Sequence, residues 1–506
     1  MPENSAKSRF AVSVFANILR GGLSFITVLI LARALGPGRY GDFAFLIGSF
    51  VAIKSLLGMG TPNAFYTFMS QKPRGGMFLA VYVAWQLVQF LLPLLFIGVI
   101  FPDDLVGRIW VGQGRGLVLV SFAAVFMQQQ AWYVMVQIGE STRMTHQVQR
   151  MNISIALAHL IIICGIWIAD LLSLQLLFII IAVEYVVAIG VAFKVLDVFE
   201  LPKEPFDNKK VFREYIVYCT PLLIYSLLSF AYEFADRWLL QNFGGSEEQG
   251  LYEIGYRFAA VSLLASTSLL NIFWKEFTEA RDKGDLKRMQ ILYTKASRFI
   301  FTFGAIVSGF LIPWSEEIVL VFLGPSYTAG TPVLIIMLVY SMYAAAGQIN
   351  GTLLYAASRT KEQFFFGSIF MTLSIPFSYF LQAPQEAIVP GLELGAIGMA
   401  LKRTVLVMLQ VNILIWWINR SYGWKFDWAY QVVGLSGFLF LGWAAQKAAV
   451  LLTPLVFSGL IVVVGVTAVL YIIMVGVMIW AVPWIAGLQR EEFLLHLKNP
   501  FKIFRH

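Results

Sequence analysis

Arg20, Lys54, Glu184, Arg257, Lys402, Arg403 and Lys447 are ionisable side chains that interrupt long apolar stretches of this sequence. In hydrocarbon each cation costs about 2.5 to 3.5 kcal/mol on insertion scales, so the cationic set represents on the order of 15 kcal/mol that other interactions must offset. Lys447 lies near an end of its stretch and can snorkel to the interface. Arg20 and Lys54 sit about ten residues into theirs, roughly 15 Å from an end at the helical rise, so both are expected to face a wet cavity. Acids that could neutralise them are scarce: Glu184 is the main buried one, with Glu233 and Asp236 nearer the end of a stretch. An excess of positive charge in a cavity predicts an anionic ligand. Arg257 has a competing role in pairing with Glu253 one turn earlier. Lys402 and Arg403 are adjacent, about 100° apart on a helix, so only one can point inward. Arg403 is expected to line a second half of the molecule, with a structural pairing as the alternative.

Polar stripes run beside these charges. Tyr225, Ser229, Tyr232 and Asp236 fall on one helical face, and so do Ser341, Gln348 and Thr352. Gln128, Gln129, Gln130, Gln137 and Asn152 add hydrogen-bonding groups that hydrocarbon penalises. Gln130, Tyr225, Ser229 and Gln348 are the expected cavity-lining set, able either to bind sugar hydroxyls or to tie helices together. His159 can carry a coupling proton or simply pack. The spacing of His, Cys, Asp and Glu suggests no metal site, no nucleophile constellation and no cofactor, and no phosphate-cradling Gly-rich Lys motif occurs. Asp103-Asp104 is either an acidic motif or, more simply, a solvated turn.

The elements that must position these groups follow from composition. Of 506 residues, 59 % are hydrophobic and 13 % charged, which excludes an ordinary soluble domain. Apolar runs from 11–32 and 43–66 through 215–235, 251–274 and 457–483 give about 14 membrane spans, hence an all-α polytopic protein. The first run continues into Arg33 without a cleavage site, so it reads as a retained anchor. Lys and Arg collect on alternate connections, including the tail Arg490, Lys498, Lys502 and Arg505, which places both termini in the cytoplasm. The net charge of +8 then fits loops near anionic lipid better than nucleic acid. Cys164 and Cys219 are far apart and read as packing residues. The chain divides into an N-terminal lobe (1–194), a cytoplasmic linker (195–213), a C-terminal lobe (214–418), two additional helices (419–484) and a basic cytoplasmic tail (485–506). Between Lys275 and Lys295, an amphipathic helix is expected around Leu286, Met289, Ile291 and Leu292.

Two segments resemble each other. Arg33 is followed by Gly36-Pro37-Gly38 and Tyr40-Gly41-Asp42; Asp236-Arg237 is followed by Gly244-Gly245 and Gly250-Leu251-Tyr252. Each puts an Arg at the end of a span, then a Gly-containing turn with a Tyr, then a new apolar run. Arg33, Asp42, Asp236 and Arg237 are therefore candidate gate or turn residues. Repeats of this kind build transporters from two halves, with chance likeness between Gly-rich turns as the alternative.

Leu31-Ala32-Arg33-Ala34-Leu35-Gly36-Pro37 with Tyr40-Gly41, Gly58-Met59-Gly60-Thr61-Pro62, Pro221, Asp236-Arg237 with Leu240, Gly250-Leu251-Tyr252, and Leu323-Gly324-Pro325 with Tyr327 form an ordered set. As a set they resemble the polysaccharide-transport branch of the MOP flippase superfamily, the Wzx-type oligosaccharide flippases. That resemblance implies two six-helix lobes around a central cavity plus two C-terminal helices, in a bacterial inner membrane. The implied activity moves an undecaprenyl-diphosphate-linked oligosaccharide to the outer leaflet by alternating access, beside the polymerase and glycosyltransferases of its pathway. It further implies that Arg20, Lys54 and Arg257 correspond to the arginines surrounding the diphosphate in lipid II flippases, with a Lys in place of one Arg, and that Arg403 joins them. The forked guanidinium suits phosphate oxygens, and Lys serves as a point charge. A membrane glycosyltransferase or polymerase, and a multidrug exporter of the same superfamily, are the alternatives. The first would require large outer loops with catalytic carboxylates, and the second depends on membrane acids that this basic interior lacks.

Overall fold

The structure is a computed structural model that describes residues 6–72, 74–198, 208–452 and 459–488, without the side chains of 6–11, 208, 262, 264–269 and 271–272. The tail from 489 and the centre of the linker, 199–207, therefore lie outside the described residues. Helices run in the order α1 (Ala6–Gly58), α2 (Thr61–Gln71), α3 (Gly76–Leu95), α4 (Asp103–Ile109), α5 (Arg115–Phe126), α6 (Trp132–Ser141), α7 (Thr145–Ile168), α8 (Leu174–Val195), α9 (Asn208–Cys219), α10 (Leu223–Leu239), α11 (Gly245–Asp282), α12 (Leu286–Leu311), α13 (Ser315–Phe322), α14 (Thr331–Ala356), α15 (Thr360–Gln382), α16 (Gly395–Tyr422), α17 (Ala429–Leu452) and α18 (Leu460–Ala481). No strand occurs among the described residues. This suits a bilayer, where a helix satisfies its backbone groups within its own segment.

Among the described residues, 12 helical segments are long and apolar enough to cross a membrane. Two of them, Val12–Gly58 with 47 residues and Lys209–Val261 with 53, are each more than twice the about 20 residues one crossing needs. Each holds two of the expected spans, so the twelve segments accommodate all of them. The turn expected over 33–42 is not a loop: α1 passes through it, and the departure from helical geometry is confined to Gly36, at φ 72° and ψ 168°. Only glycine adopts that conformation without strain, and Pro37 resumes the helix at once.

Three other expectations need adjustment. The span 43–66 is interrupted at Gly58, because Met59 and Gly60 take positive φ and α2 starts afresh with Pro62 in its first turn. The segment around Leu286 and Met289 is no separate amphipathic helix but the opening of α12, whose first turn is capped by the Asp285 carboxylate accepting from Arg288 N at 2.8 Å. Asp103 and Asp104, expected in a solvated turn or an acidic motif, instead open the short helix α4.

Contacts divide the chain into two compact units, Met1–Glu253 with Met371–Met399, and Ile254–Phe370 with Ala400–His506. In the first, α1 packs on α7 and α10, and α5 on α8. Its aromatic core includes the Phe65–Tyr82 stack at 4.1 Å between ring centres. In the second, α12 packs against α14 and α17, and α17 against α18, around Phe301, Tyr343, Tyr430 and Phe438. Where α11 meets α12, the Glu279 carboxyl is held below the usual carboxylate range by a 2.7 Å bond from Lys283 Nζ and by the charge of Arg288.

Candidate functional site

Within the first unit, Lys54 is the predicted cation with the most described contacts. Its half-buried ammonium donates to the Gln129 carbonyl at 2.7 Å and lies 5.6 Å from the Tyr133 ring centre. Residues Met127–Ala131 form a π-helical turn, which opens the regular ladder and frees a carbonyl of the Gln triplet to receive the cation. Glu233 on α10 adds a favourable charge interaction. Lys54 is thus partly compensated by dipoles and a distant acid, without a contact salt bridge to a carboxylate among the described pairs.

Arg20 is exposed, and its guanidinium donates to the neutral Asn17 amide at 3.4 Å. Its field reaches Tyr185 on α8. Glu184, expected as the main acid of the membrane interior, is taken by His159 at 2.7 Å instead of by any cation. The glutamines separate by role. Gln130 is buried and donates to Gln86 and Gln89 of α3, while Gln137 donates to the Pro62 carbonyl and Trp132 to Asn152. These groups knit α3, α6 and α7 together, so Gln130 is a tie between helices, not a lining group.

The stripe on α10 divides likewise. Tyr225 is exposed, the buried Ser229 reaches Glu233 at 3.5 Å, and the buried Asp236 accepts from Ser378 Oγ at 2.5 Å. The two segments of the repeat meet directly. Asp42 accepts from Ser246 Oγ at 2.6 Å and from Gln241 at 3.0 Å. Arg237 reaches Glu253 at 3.3 Å and the Ala44 carbonyl at 3.4 Å, crossing the space a side chain at Gly48 would fill. A Cβ on Gly41 would fall 1.7 Å from the Ser246 carbonyl oxygen, and one on Gly250 2.1 Å from that of Pro37. Glu248 accepts from Ala396 N at 2.6 Å, placing a carboxylate at the start of α16. Arg33 is exposed three residues before the Gly36 break. Gln241, Ser246, Glu248 and Ser378 carry no motif, so sequence periodicity had no means of picking them out.

In the second unit, Arg403 lies over a pair of touching rings, 4.5 Å from the centre of Tyr256 and 5.4 Å from that of Tyr340, which are 6.4 Å from each other. The two rings form an aromatic clamp on one side of the guanidinium and hold its charge by cation–π attraction. Arg257 follows Tyr256 on α11 and is half-buried; Lys402 is buried, 2 % exposed, so of the adjacent cations it is Arg403 that takes the clamp. Gln348 is half-buried, and its carbonyl accepts from Thr352, while Ser341 bonds back to Leu338 on its own helix. Asp103 and Asp104 are ion-paired with Arg115 and Arg108 at 2.8 and 3.0 Å, as acids at the start of α4. No cluster suited to a metal ion occurs among the described residues. A pocket of about 840 Å³ in the first unit, walled by Tyr82, Trp85, Phe212, Tyr215 and Leu223, is apolar and contains none of the predicted cations.

The family profile described as "Polysaccharide biosynthesis protein" matches residues 7–272, more than half of the chain. The chain belongs to this polysaccharide biosynthesis protein family. No curated protein sequence gives a match. Among solved structures, this family member is similar to "Lipid II flippase MurJ, inward closed conformation", with a TM-score of 0.67 at 13 % identity, covering 92 % of this chain and 98 % of that one. It is also similar to an outward-facing multidrug resistance MATE family transporter of the MOP superfamily, with a TM-score of 0.53 at 12 % identity over 82 % of this chain and 96 % of the other. A MOP superfamily transporter from Pyrococcus furiosus gives 0.50 at 13 % identity over 82 % and 95 %. The polysaccharide biosynthesis family member therefore has the fold of the MOP superfamily, as its ordered motifs suggest.

Proposed function

We propose that this protein is a flippase that moves an undecaprenyl-diphosphate-linked oligosaccharide from the cytoplasmic to the outer leaflet by alternating access, for cell-surface polysaccharide. The observation that carries the reading is Arg20: a guanidinium deep in a membrane span, exposed, whose hydrogen-bond partner is a neutral amide. Desolvating such a group is tolerable where an anion visits it. Lys54, Arg257 and Arg403 supply further positive charge, and family membership supports a polysaccharide pathway. In this reading the lobes are 1–194 and 214–418, joined by the linker 195–213 and followed by helices at 419–484 and the tail. Both termini lie in the cytoplasm of a bacterial cell, and the protein works beside a polymerase and glycosyltransferases without itself making or breaking glycosidic bonds.

Arg20→Ala and Lys54→Ala are each expected to abolish surface polysaccharide at unchanged protein level, with lipid-linked precursor accumulating on the cytoplasmic leaflet. Unchanged polysaccharide output overturns the assignment, and loss without precursor accumulation favours a synthetic enzyme.

A further inference from the structure

A transporter of this kind needs an energy source, and one pair in the first unit has the chemistry of a coupling site. His159 Nδ1 and Glu184 Oε2 are 2.7 Å apart, on α7 and α8, with 20 % and 11 % of their side chains exposed. Glu184 lies ten residues past Leu174 and eleven short of Val195, the ends of α8. That is about 15 Å from either end, near the middle of the span. Glu184 Oε1 is buried with no hydrogen-bond partner among the described residues. A carboxylate with one oxygen unsatisfied in this setting is an expensive way to tie two helices, since its charge is only partly answered by one imidazole. Gln128 bonds the hydroxyl of Tyr185, and Tyr185 feels both Glu184 and Arg20. Arg20, the arginine assigned above to the headgroup, thus acts on the residue next to Glu184, and its helix α1 packs on α7, which carries His159.

We propose that His159 and Glu184 form a proton-binding site whose occupancy follows the anion at Arg20, so that loading of the headgroup draws in a proton from water. This rests on the flippase reading. Two states differ by one proton. In one, His159 is neutral, its Nδ1–H donates to ionised Glu184, and the pair carries one negative charge. In the other, a proton from the aqueous phase has joined Nε2, and the pair is neutral overall. With the substrate absent, the Arg20 charge offsets the negative state. A diphosphate at Arg20 cancels that offset, and the extra proton replaces it; no bond in the substrate changes. Binding of the two ligands is then reciprocal, as linkage requires. Arg20 of α1 acts on Tyr185, the neighbour of Glu184 on α8, and the Gln128 amide that also faces Tyr185 is neutral. His146 and Arg150 on α7 and Lys194 on α8 lie more than two helical turns away along their helices.

The test uses the full chain in lipid nanodiscs and, as probe, a diphosphate diester of a short prenol and N-acetylglucosamine, whose phosphates take no proton near neutral pH. Calorimetric titrations in buffers of different ionisation enthalpy count the protons taken up on binding. Uptake approaching about one proton per bound probe is expected for the unaltered protein, and loss of that uptake in both Glu184→Gln and His159→Gln, with probe affinity near neutral pH raised in the first, which fixes the neutral pair, and lowered in the second, which leaves the acid charged. Glu184→Gln keeps an acceptor for the imidazole, and the second variant covers the case in which the first fails to fold. Proton uptake that persists in the variants, or binding by the unaltered protein with no uptake, overturns the coupling site and leaves the flippase reading standing. Failure of the unaltered protein to bind the probe overturns the flippase reading, and this inference with it.

Discussion

At the scale of single residues, Lys54 is held by attractions weaker than a contact ion pair. Lys54 has one carbonyl, one ring and one acid beyond contact distance. Replacing a half-buried charge by an apolar side chain of similar length removes its desolvation cost, so such changes are often neutral or stabilising. Lys54→Met is therefore expected to leave the thermal unfolding midpoint in detergent unchanged or raised while abolishing export; a midpoint many degrees lower would show that Lys54 serves the fold instead. Arg403 makes a different case. Lysine keeps the charge but loses the planar group that lies against Tyr256 and Tyr340, at 4.5 and 5.4 Å. Arg403→Lys is expected to weaken binding of a diphosphate diester by about 1 to 2 kcal/mol, roughly tenfold, from the lost stacking and forked donation. An affinity equal to that of the unaltered protein would remove Arg403 from the site. The cations themselves were legible in the sequence, because a charge inside an apolar run stands out. Their partners were not: the Gln129 carbonyl is offered by a π turn that has no compositional signature, and the Tyr256–Tyr340 clamp joins helices far apart in the chain.

Elements meet here through backbone as much as through side chains. The close approach of α1 and α11 around Gly41 and Gly250 leaves no room for a side chain, whereas a Cβ at Gly38, one turn away, would meet nothing within 4 Å. Overpacking such a contact costs about 1 to 3 kcal/mol or more where backbone has to shift. Gly41→Val is expected to lower the unfolding midpoint markedly and Gly38→Ala to leave it within a degree or two, with thermal scans of the purified protein as the measurement. Equal effects would refute the tight crossing. The sequence disclosed that these glycines sit in matching segments, but not that the two segments touch. Helix existence was legible throughout from apolar runs. Boundaries were harder at two places: Gly36-Pro37 reads as a loop yet costs α1 one residue of helical geometry, and Gly58-Met59-Gly60 lies inside an apolar run yet ends a helix, because positive φ at two successive residues cannot continue it.

For the whole molecule, the distribution of basic residues sets orientation, and this is a separate claim from the site. Arg108 and Lys283 are convenient markers, since their side chains are 77 % and 62 % exposed and the alternation of spans assigns them to opposite sides of the membrane. The Lys283 turn is among the Lys- and Arg-rich connections, whereas Arg108 belongs to a short connection whose two basic residues are each paired with an acid. In the proposed orientation, with positive segments retained in the cytoplasm, Lys283 is expected inside and Arg108 outside. In a background of Cys164→Ser and Cys219→Ser, Lys283→Cys is expected to react with a membrane-impermeant maleimide only after the cells are opened, and Arg108→Cys in intact cells. The proposed orientation has both termini on the side of Lys283. If Arg108→Cys were the protected one, the headgroup cations would be loaded from the outer face, and the protein would have to move its substrate inward or move a different substrate altogether. Orientation therefore decides the direction of transport independently of whether a diphosphate binds.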